Sequence, residues 1–281
     1  MDKRRKEYLE MLEIFGQCVQ SLEGKRVTAA DAWQADIQPL AIKLFFHLGT
    51  LFHLQEGTSL PEIMRVTPKY VDFPSVAIVA RAAFETYLTF YYIYAETDDK
   101  EAKRFRHKLW VLGGFLDRQK FIVTTTEGKH RIEDEKLKIQ KIREEILEHP
   151  IYANLAKERQ KESLKGKWKF QHKWEDLAEL AGSHKDYFVP LYAYVSAHAH
   201  GSYLSILQVS QATDRQTQRG LTGLYTGVGL NLMSHFIKTY CLLFPEAQKV
   251  LDQNDSYKRL VEINHISAAD WGKFQANPRV V

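Results

Sequence analysis

The sequence predicts an all-α fold, arranged as one bundle-like domain of about eight to ten helices over residues 1–281. Three observations favour this fold. Apolar residues recur at the spacing of a helix face in one segment after another. Eight prolines and fifteen glycines are few for 281 residues. No segment shows the alternation of a strand or a long internal repeat. Because 44% of the residues are apolar, the chain can bury a sizeable core.

The helices are located by their apolar stripes and by the residues that end them. In the first helix, Leu9, Leu12 and Val19 recur at helical spacing, and Gly24 ends the pattern. The second helix contains Pro39, which either kinks it or splits it. The predicted helices cover residues 3–22, 30–56, 74–96, 99–121, 131–148, 174–182, 185–208 and 218–243, with short helices within 151–170, from 245 and over 257–263.

Residues 123–172 are predicted to form a peripheral arm of the single domain, consisting of a loop, a highly charged helix and a second loop. The apolar stripe of that helix is thin. Residues 100 to 175 carry 20 Lys and Arg against 12 Asp and Glu, whereas the whole chain has a net charge of only +4. Such an excess can attract phosphate. A solvated helical surface with charges of both signs explains it equally well.

Several classes of protein find no support in the sequence. No segment approaches 18 uninterrupted apolar residues, so we expect no transmembrane helix and no signal peptide. Cys18 and Cys241 lie in apolar stretches, and we expect both to be reduced in a cytoplasmic protein. The chain lacks the glycine-rich nucleotide loops, the paired Cys and His zinc motifs and the esterase serine motif. We therefore expect neither a cofactor nor a bound metal.

The most hydrophobic predicted helix, at residues 74–96, has a single polar interruption. Arg81 and Glu85 are its only charged residues between positions 74 and 95. Their i, i+4 spacing lets them pair, but Arg before Glu is the weaker order in an isolated helix. A helix that is apolar on nearly all sides is usually buried. The two charges therefore need a reason beyond helix stability.

A second apolar helix carries a hydroxyl and an imidazole one turn apart. Ser196 and His200 are four residues apart, so in a continuous helix they lie side by side. His198 points about 200° away from Ser196 and is predicted to lie at the surface or at a second interface. Buried polar groups need partners, and we expect this face to meet Arg81 and Glu85. The face is shared by Tyr192, Ser196, Ala199 and Tyr203.

Arg81, Glu85, Ser196 and His200 allow three interpretations. As a catalytic set, Arg would stabilise the charge of a phosphate and His would move the proton of a 2′-hydroxyl, which is what metal-independent RNA cleavage requires. As a binding or sensing pocket, the four residues would hold an anionic ligand. As a structural network, they would only fix the packing of the helices. The sequence leaves all three open.

Two basic sets are weaker candidates for nucleic-acid binding. Arg104 and His107 lie one turn apart on a basic helix, where they either contact a phosphate backbone or form an exposed surface. A second patch alternates basic and aromatic residues, and such patches can bind phosphate and stack bases. The alternative is a solvated loop whose Trp fills the core. The members of this patch are Lys165, Lys167, Trp168 and Lys169.

Three short motifs carry a resemblance to a known group. They are Arg81-Ala-Ala-Phe-Glu85-Thr-Tyr87-Leu, Trp174-x-x-Leu177-Ala178-x-Leu180-Ala-Gly182, and Tyr187 and Tyr194 followed by Ser196-x-x-x-His200-Gly201. Over about residues 30 to 240 the chain resembles a group of uncharacterised bacterial helical proteins that are classed as a domain of unknown function.

These proteins are similar in general plan to HEPN-type helical domains, many of which are ribonucleases of toxin–antitoxin and phage-defence systems. The resemblance implies a role in bacterial stress or phage defence, RNA as the ligand, and a homodimer, because HEPN-type nucleases often pair two copies of their motif. The HEPN signature places Arg four to six residues before His on one helix. No Arg precedes His200 at that spacing. The analogy therefore requires Arg81 to supply the cation from another helix.

Overall fold

A computed structural model describes residues 3–58 and 70–271, and these residues confirm the all-α class. They contain no strand, only an isolated antiparallel bridge between Thr58 and Tyr70. A 3₁₀ helix spans Ala29–Asp36. The α-helices are α1 (Lys3–Gln20), α2 (Ile37–Leu54), α3 (Phe73–Tyr94), α4 (Lys100–Arg118), α5 (Thr126–Leu147), α6 (Pro150–Ala153), α7 (Lys157–Ser163), α8 (Trp174–Leu180), α9 (Lys185–Ala199), α10 (Tyr203–Gln211), α11 (Arg215–Leu243), α12 (Pro245–Asp252) and α13 (Asp255–Ile263).

The chain divides into two compact units. The first unit comprises Met1–Tyr91 and Trp174–Val281, and the second comprises Tyr92–Lys173. The sequence predicted one domain with an arm at residues 123–172, and that arm lies entirely within the second unit.

Thirteen α-helices, rather than the expected eight to ten, occur in the described part of the chain because some predicted helices are divided. The helix predicted over 185–208 ends at Ala199, and α10 starts a new helix. The reason is local. Ser202 caps α10 by accepting a hydrogen bond from the backbone N–H of Ser205, and the backbone of His200 is extended (φ −126°, ψ 152°). Pro39 lies in the first turn of α2, where a missing N–H costs little.

Helix α11 packs against four other helices of the first unit. It contacts α1, α2, α12 and α13. It is buried on nearly every side from Tyr225 to Cys241, including several polar residues that hydrogen-bond inside the unit, such as Asn231 and Ser234. Its start is fixed by Asp214, whose carboxylate accepts hydrogen bonds from the backbone N–H groups of Gln216 and Thr217.

A glycine lets α1 approach α11 closely. Tyr8 of α1 is fully buried, and its hydroxyl donates to the carbonyl oxygen of Leu48, 3.0 Å away. The ring lies against Gly229, where a Cβ atom would fall well inside van der Waals distance of the hydroxyl oxygen. Any larger residue at position 229 must therefore displace Tyr8.

We expect Gly229→Ala to lower the free energy of unfolding by about 1–3 kcal/mol, the usual cost of forcing extra volume into a packed core. The displaced Tyr8 would also lose its hydrogen bond to Leu48. Urea unfolding of the variant measures the change. Gly223→Ala on the same helix is the matched control, because a Cβ there meets no atom within 4 Å. It should be neutral or slightly stabilising. Equal losses in the two variants would contradict the explanation.

The second unit has its own apolar core. On one face of α4, Phe105, Leu109 and Leu112 pack against Ile139 and Ile146 of α5. Part of the thin apolar stripe of α5 is thus buried, whereas Leu137 on the same helix is exposed. The buried carboxylate of Glu135 on the same helix lies 3.3 Å from the guanidinium of Arg118. The charge of Glu135 is thereby compensated.

Two glycines bring the loop after α7 against α4 inside the second unit. Gly166 has a left-handed backbone (φ +68°), and a Cβ on it would overlap the backbone of Gly113. A Cβ on Gly113 would in turn lie 2.6 Å from the carbonyl oxygen of Gly166. The backbones therefore meet at a distance that only glycine permits at either position. This contact holds the residues on either side of Gly166, including Leu164 and Trp168, against the apolar core of the second unit.

One segment of the described chain, Ala29–Leu54, is long and apolar enough to be compared with a membrane-spanning helix. Length and composition are weak evidence for a span, because a core helix of similar composition passes the same test. The segment is not clearly a membrane span.

Candidate functional site

Arg81 and Glu85 form an ion pair on α3 that is only partly buried. Nε of Arg81 lies 2.9 Å from Oε1 of Glu85, and the two side chains are 26% and 30% exposed. Within the described residues, Nε is the only nitrogen of Arg81 that pairs with a carboxylate. The pair is therefore accessible to solvent and keeps donors available.

Tyr192 of α9 completes the cluster. Its hydroxyl donates to Oε1 of Glu85 at 2.6 Å, the same atom that accepts from Arg81. Cζ of Arg81 lies 5.6 Å from the centre of the Tyr192 ring, within cation–π range. The ring also stacks on Phe188, whose own ring meets Phe84 of α3 edge to face. The two helices that the sequence singled out therefore do touch, and we call this contact of Arg81, Glu85 and Tyr192 the Arg81 cluster.

The environment keeps the cluster in a defined charge state. Burial and the hydrogen bond to the Glu85 carboxylate raise the pKa of Tyr192, so the phenol stays protonated and donates. Burial acts to lower the pKa of Arg81, but hydrogen bonds with Glu85 and Tyr192 outweigh it, and the net shift is upward. The cluster thus contains a permanent cation oriented by a carboxylate and a phenol.

Ser196 lies one helical turn beyond Tyr192, as the sequence predicted, but it joins no network. Its hydroxyl oxygen is buried and makes no hydrogen bond to any residue that the structure describes. It contacts neither the Arg81 cluster nor His200 through a hydrogen bond. A buried hydroxyl without a partner is unusual and destabilising.

His200 is the C-cap residue of α9 rather than a residue inside a continuous helix. Helix α9 ends at Ala199, and the His200 side chain is exposed. Its carbonyl oxygen accepts from the backbone N–H of Ser202 at 2.7 Å and thereby helps to form the turn into α10. The continuous helix that the prediction assumed therefore ends one residue before His200, and no hydrogen bond joins Ser196 to His200 among the described residues.

His198, predicted to lie at the surface or at a second interface, is instead buried. It is 8% exposed, and its ring packs edge-on against Phe73 and Tyr194. Burial lowers the pKa of His198, and the neighbouring Gln208 opposes this only in part. The imidazole is therefore neutral at physiological pH and belongs to the packing of α9. The surface prediction for His198 is wrong.

The first basic set proposed for nucleic acid, Arg104 and His107, does not form one exposed surface on the second unit. His107 is 8% exposed and packs between the rings of Tyr94 and Trp110, so it reaches no external phosphate. Arg104 pairs with Glu101 at 2.8 Å. The expectation that His107 lies on an exposed or phosphate-binding face is wrong, because its side of α4 faces the interior.

The second basic set surrounds a tryptophan that belongs to the core. Trp168 packs against Tyr92 and joins the apolar cluster of the second unit. Lys167 pairs with Glu162 of α7 at 3.0 Å, and Nζ of Lys169 lies 5.9 Å from the Trp168 ring centre. The basic members of the patch are Lys165, Lys167 and Lys169. The packing of Trp168 agrees with a loop whose Trp fills the core.

No group of three or more His, Cys, Asp or Glu side chains in the described ranges is arranged to hold a metal ion. Tyr192 is the cluster residue to which sequence reasoning gave no role. The sequence feature that could have identified Tyr192 is its place on the same helical face as Ser196, one turn earlier.

A family model, described as a family of unknown function (DUF5677), matches residues 60–217, more than half of the chain. The match includes the Arg81 cluster, Ser196 and His200. No curated protein and no solved structure matches the chain.

Proposed function

Since the chain belongs to the family of unknown function DUF5677, we propose its function from the geometry of the Arg81 cluster: the cluster binds an anionic group, and the anion is a phosphate of RNA. The observation that carries this proposal is the state of Arg81. Its Nε is engaged by Glu85, its side chain is partly exposed, and Nη1 and Nη2 have no carboxylate partner in the described residues. A guanidinium held in this way can offer two donors to a phosphate or carboxylate.

The geometry favours binding over a purely structural role. A network that only fixed the helices would bury its members and pair every one of them. Here the ion pair is about a quarter to a third exposed. Tyr192 and Glu85 hold the guanidinium in place before a ligand arrives, which lowers the entropy cost of binding.

RNA cleavage is the more specific form of the proposal. His200 would take the proton of a 2′-hydroxyl as the 2′-oxygen attacks phosphorus. The bond to the 5′-oxygen then breaks, a proton returns to that oxygen, and Arg81 stabilises the charge on the phosphoryl oxygens. The exposure of His200 supports this role. Ser196 can take part only if its hydroxyl becomes accessible, because it is buried here.

A cytoplasmic, HEPN-like role in bacterial stress or phage defence completes the proposal. Its support is the resemblance of the motifs at Arg81 and Ser196 to that group of helical proteins. The free, buried thiols of Cys18 and Cys241 agree with a reducing compartment. The alternative is a sensor or scaffold in which the Arg81 cluster binds an anion without chemistry.

Fluorescence anisotropy with a labelled single-stranded RNA tests the binding. We expect Arg81→Gln to weaken the affinity about tenfold or more, because hydrogen bonds to a charged group contribute about 1.5–3 kcal/mol. Arg219→Gln makes the same change in charge at an exposed position of α11 and is the matched control. Thermal melts of both variants check that folding is intact. Equal affinity for the two variants would contradict an anion site at Arg81.

A gel assay of the same RNA separates cleavage from binding. Wild type should cut the RNA, whereas His200→Ala should bind it without cutting. Binding that depends on Arg81 but is never followed by cleavage would support the sensor alternative. If the wild type neither binds nor cuts RNA, both the RNA assignment and the ribonuclease mechanism are wrong.

A further inference from the structure

Residues 264–271, which follow α13, are attached to α11 by two buried polar side chains. Asn231 donates from Nδ2 to the carbonyl oxygen of Asn264 at 3.1 Å and to that of Ile266 at 3.4 Å. A ring nitrogen of His235 lies 3.0 Å from the same carbonyl oxygen of Ile266. Asn231 and His235 are 6% and 5% exposed, so these bonds are made away from water. We call residues 264–271 the strap.

The other end of the strap contacts the turn before α9 and the first turn of that helix. The backbone N–H of Ala268 donates to the carbonyl oxygen of Gly182 at 2.8 Å. The ring centre of Trp271 lies 5.2 Å from that of Tyr187 and 6.4 Å from that of His184. His184 is the N-cap residue of α9. The strap therefore connects α11 to the start of α9.

The start of α9 needs external support because of Pro190. Proline lacks the backbone N–H that would donate to the carbonyl oxygen of Asp186 four residues earlier, so a hydrogen bond of the first turns is missing. Four of the first six side chains of α9 are exposed, and the packing of these turns depends on Tyr187 and Phe188. Trp271 covers the first of these two residues.

The same turns of α9 hold the phenol of the Arg81 cluster in place. Phe188 stacks on Tyr192 with 5.4 Å between ring centres, and it meets Phe84 of α3 edge to face. Tyr192 donates to Oε1 of Glu85, the atom that also accepts from Arg81. A displacement of the first turns of α9 therefore moves a group that orients the guanidinium.

We propose that the strap positions α9 for anion binding at the Arg81 cluster. Trp271 is the positioning residue, and it acts through Tyr187 and Phe188. This role rests on the proposed function of the cluster. The strap lies outside residues 60–217, which the family model matches, whereas its contacts at the start of α9 lie inside them. The position of α9 in the matched region thus depends on a segment outside that region.

Hydrogen–deuterium exchange of the full chain measures the hold of the strap on α9 without any ligand. In Trp271→Ala the backbone amides of residues 185–192 should exchange about fivefold faster than in wild type, an effect within the range of one aromatic pair. The amides of α4 and α5 in the second unit should not change. Trp271→Phe is the matched control, because it keeps an aromatic ring and Nε1 of Trp271 has no hydrogen-bond partner among the described residues. It should exchange like wild type.

Ala268→Pro is a second variant that loosens the strap and leaves its aromatic ring intact. It removes the N–H that donates to Gly182. Ala268 is the first residue of a short helical turn, a position that tolerates proline well. The variant should therefore fold and should show the same faster exchange at the start of α9.

Fluorescence anisotropy with the labelled single-stranded RNA measures the consequence for binding. Trp271→Ala and Ala268→Pro should each raise the dissociation constant about fivefold or more, the usual size of a coupling between two positions. Trp271→Phe should leave it unchanged. Thermal melts check that each variant is folded.

Two results would overturn the role of the strap. One is unchanged exchange of residues 185–192 in both Trp271→Ala and Ala268→Pro. The other is faster exchange with an unchanged affinity for RNA, in a protein whose affinity is weakened by Arg81→Gln. A wild type that binds no RNA would instead overturn the proposed function, and faster exchange in the variants would still support the hold of the strap on α9. The two failures are thus distinguishable.

Discussion

Gly166→Ala should lower the free energy of unfolding by about 3 kcal/mol, the largest effect that we expect from a single methyl group in this chain. A non-glycine residue in a left-handed backbone costs about 1–3 kcal/mol. Overlap with packed atoms adds a similar amount, and here the overlapping atoms belong to the backbone of Gly113 and cannot rotate away. The loop after α7 must therefore separate from α4.

Chemical denaturation, followed by the fluorescence of the tryptophans, measures this loss. Gly114→Ala is a close control, because Gly114 follows Gly113 on α4 and a Cβ there meets nothing within 4 Å. Alanine at an exposed helical position should stabilise the protein by about 0.5–1 kcal/mol. The glycine of the loop and the glycine of α4 should thus give effects of opposite sign. A Gly166→Ala variant as stable as wild type would show that the close approach is absent.

Acidification should destabilise the first unit through a buried histidine. His235 of α11 is 5% exposed, its ring centre lies 4.2 Å from that of His265, and a ring nitrogen lies 3.0 Å from the carbonyl oxygen of Ile266. Burial, with the neighbouring His265, lowers the pKa of His235 from 6.5 to about 4. Between pH 6.5 and pH 4 the unfolded state therefore binds a proton at His235 that the folded state does not bind.

The sign of the effect follows from that difference. Above pH 6.5 His235 is neutral in both states, and its contribution to stability is complete. As the pH falls from 6.5 towards 4 the unfolded chain binds the proton first, and stability should decline by about 3 kcal/mol in total. Urea unfolding at intervals of pH measures the decline.

A substitution separates the contribution of His235 to the pH dependence of stability from the contribution of the carboxylates. His235→Gln keeps a donor for the carbonyl of Ile266 but cannot be protonated in this range, so its stability should depend less steeply on pH between 6.5 and 4. The same change at His53, an exposed residue of α2, should leave the wild-type slope in place. Parallel curves for wild type and His235→Gln would rule out the assignment.

The fold class was predictable because the spacing of apolar residues along the chain indicates helices from local sequence alone. The apolar stripes of α2 and α4 repeat at three and four residues, and each stripe is the face that the structure buries. In α1 only Leu12 of the predicted stripe is buried, and Leu9 is exposed. The break between α9 and α10 was missed because apolar residues run through it from Val195 to Val209. Its signal is short: Gly201 followed by Ser202, a cap residue.

The candidate site was predictable only in part. The two charges in the apolar run of α3 were enough to locate Arg81 and Glu85 and to expect a contact with α9. The residue of α9 that makes the contact could not be predicted. Tyr192 is one of several tyrosines on apolar helices, and only the folded structure places its hydroxyl against Glu85. The same limit applies to His198, whose burial depends on Phe73 and Tyr194 rather than on its own helix.

A single atom, Oε1 of Glu85, accepts both from Arg81 on its own helix and from Tyr192 on α9. Two donors that share one acceptor compete for its electron density. In the proposed function, an anion bound to Nη1 and Nη2 of Arg81 would weaken the hydrogen bond from Nε to Oε1, strengthen the bond from the phenol and so tighten the attachment of α9. Thermodynamic reciprocity would then require that tighter attachment of α9 raise the affinity for the anion by the same factor. The carboxylate oxygen would thus couple the proposed ligand to the scaffold.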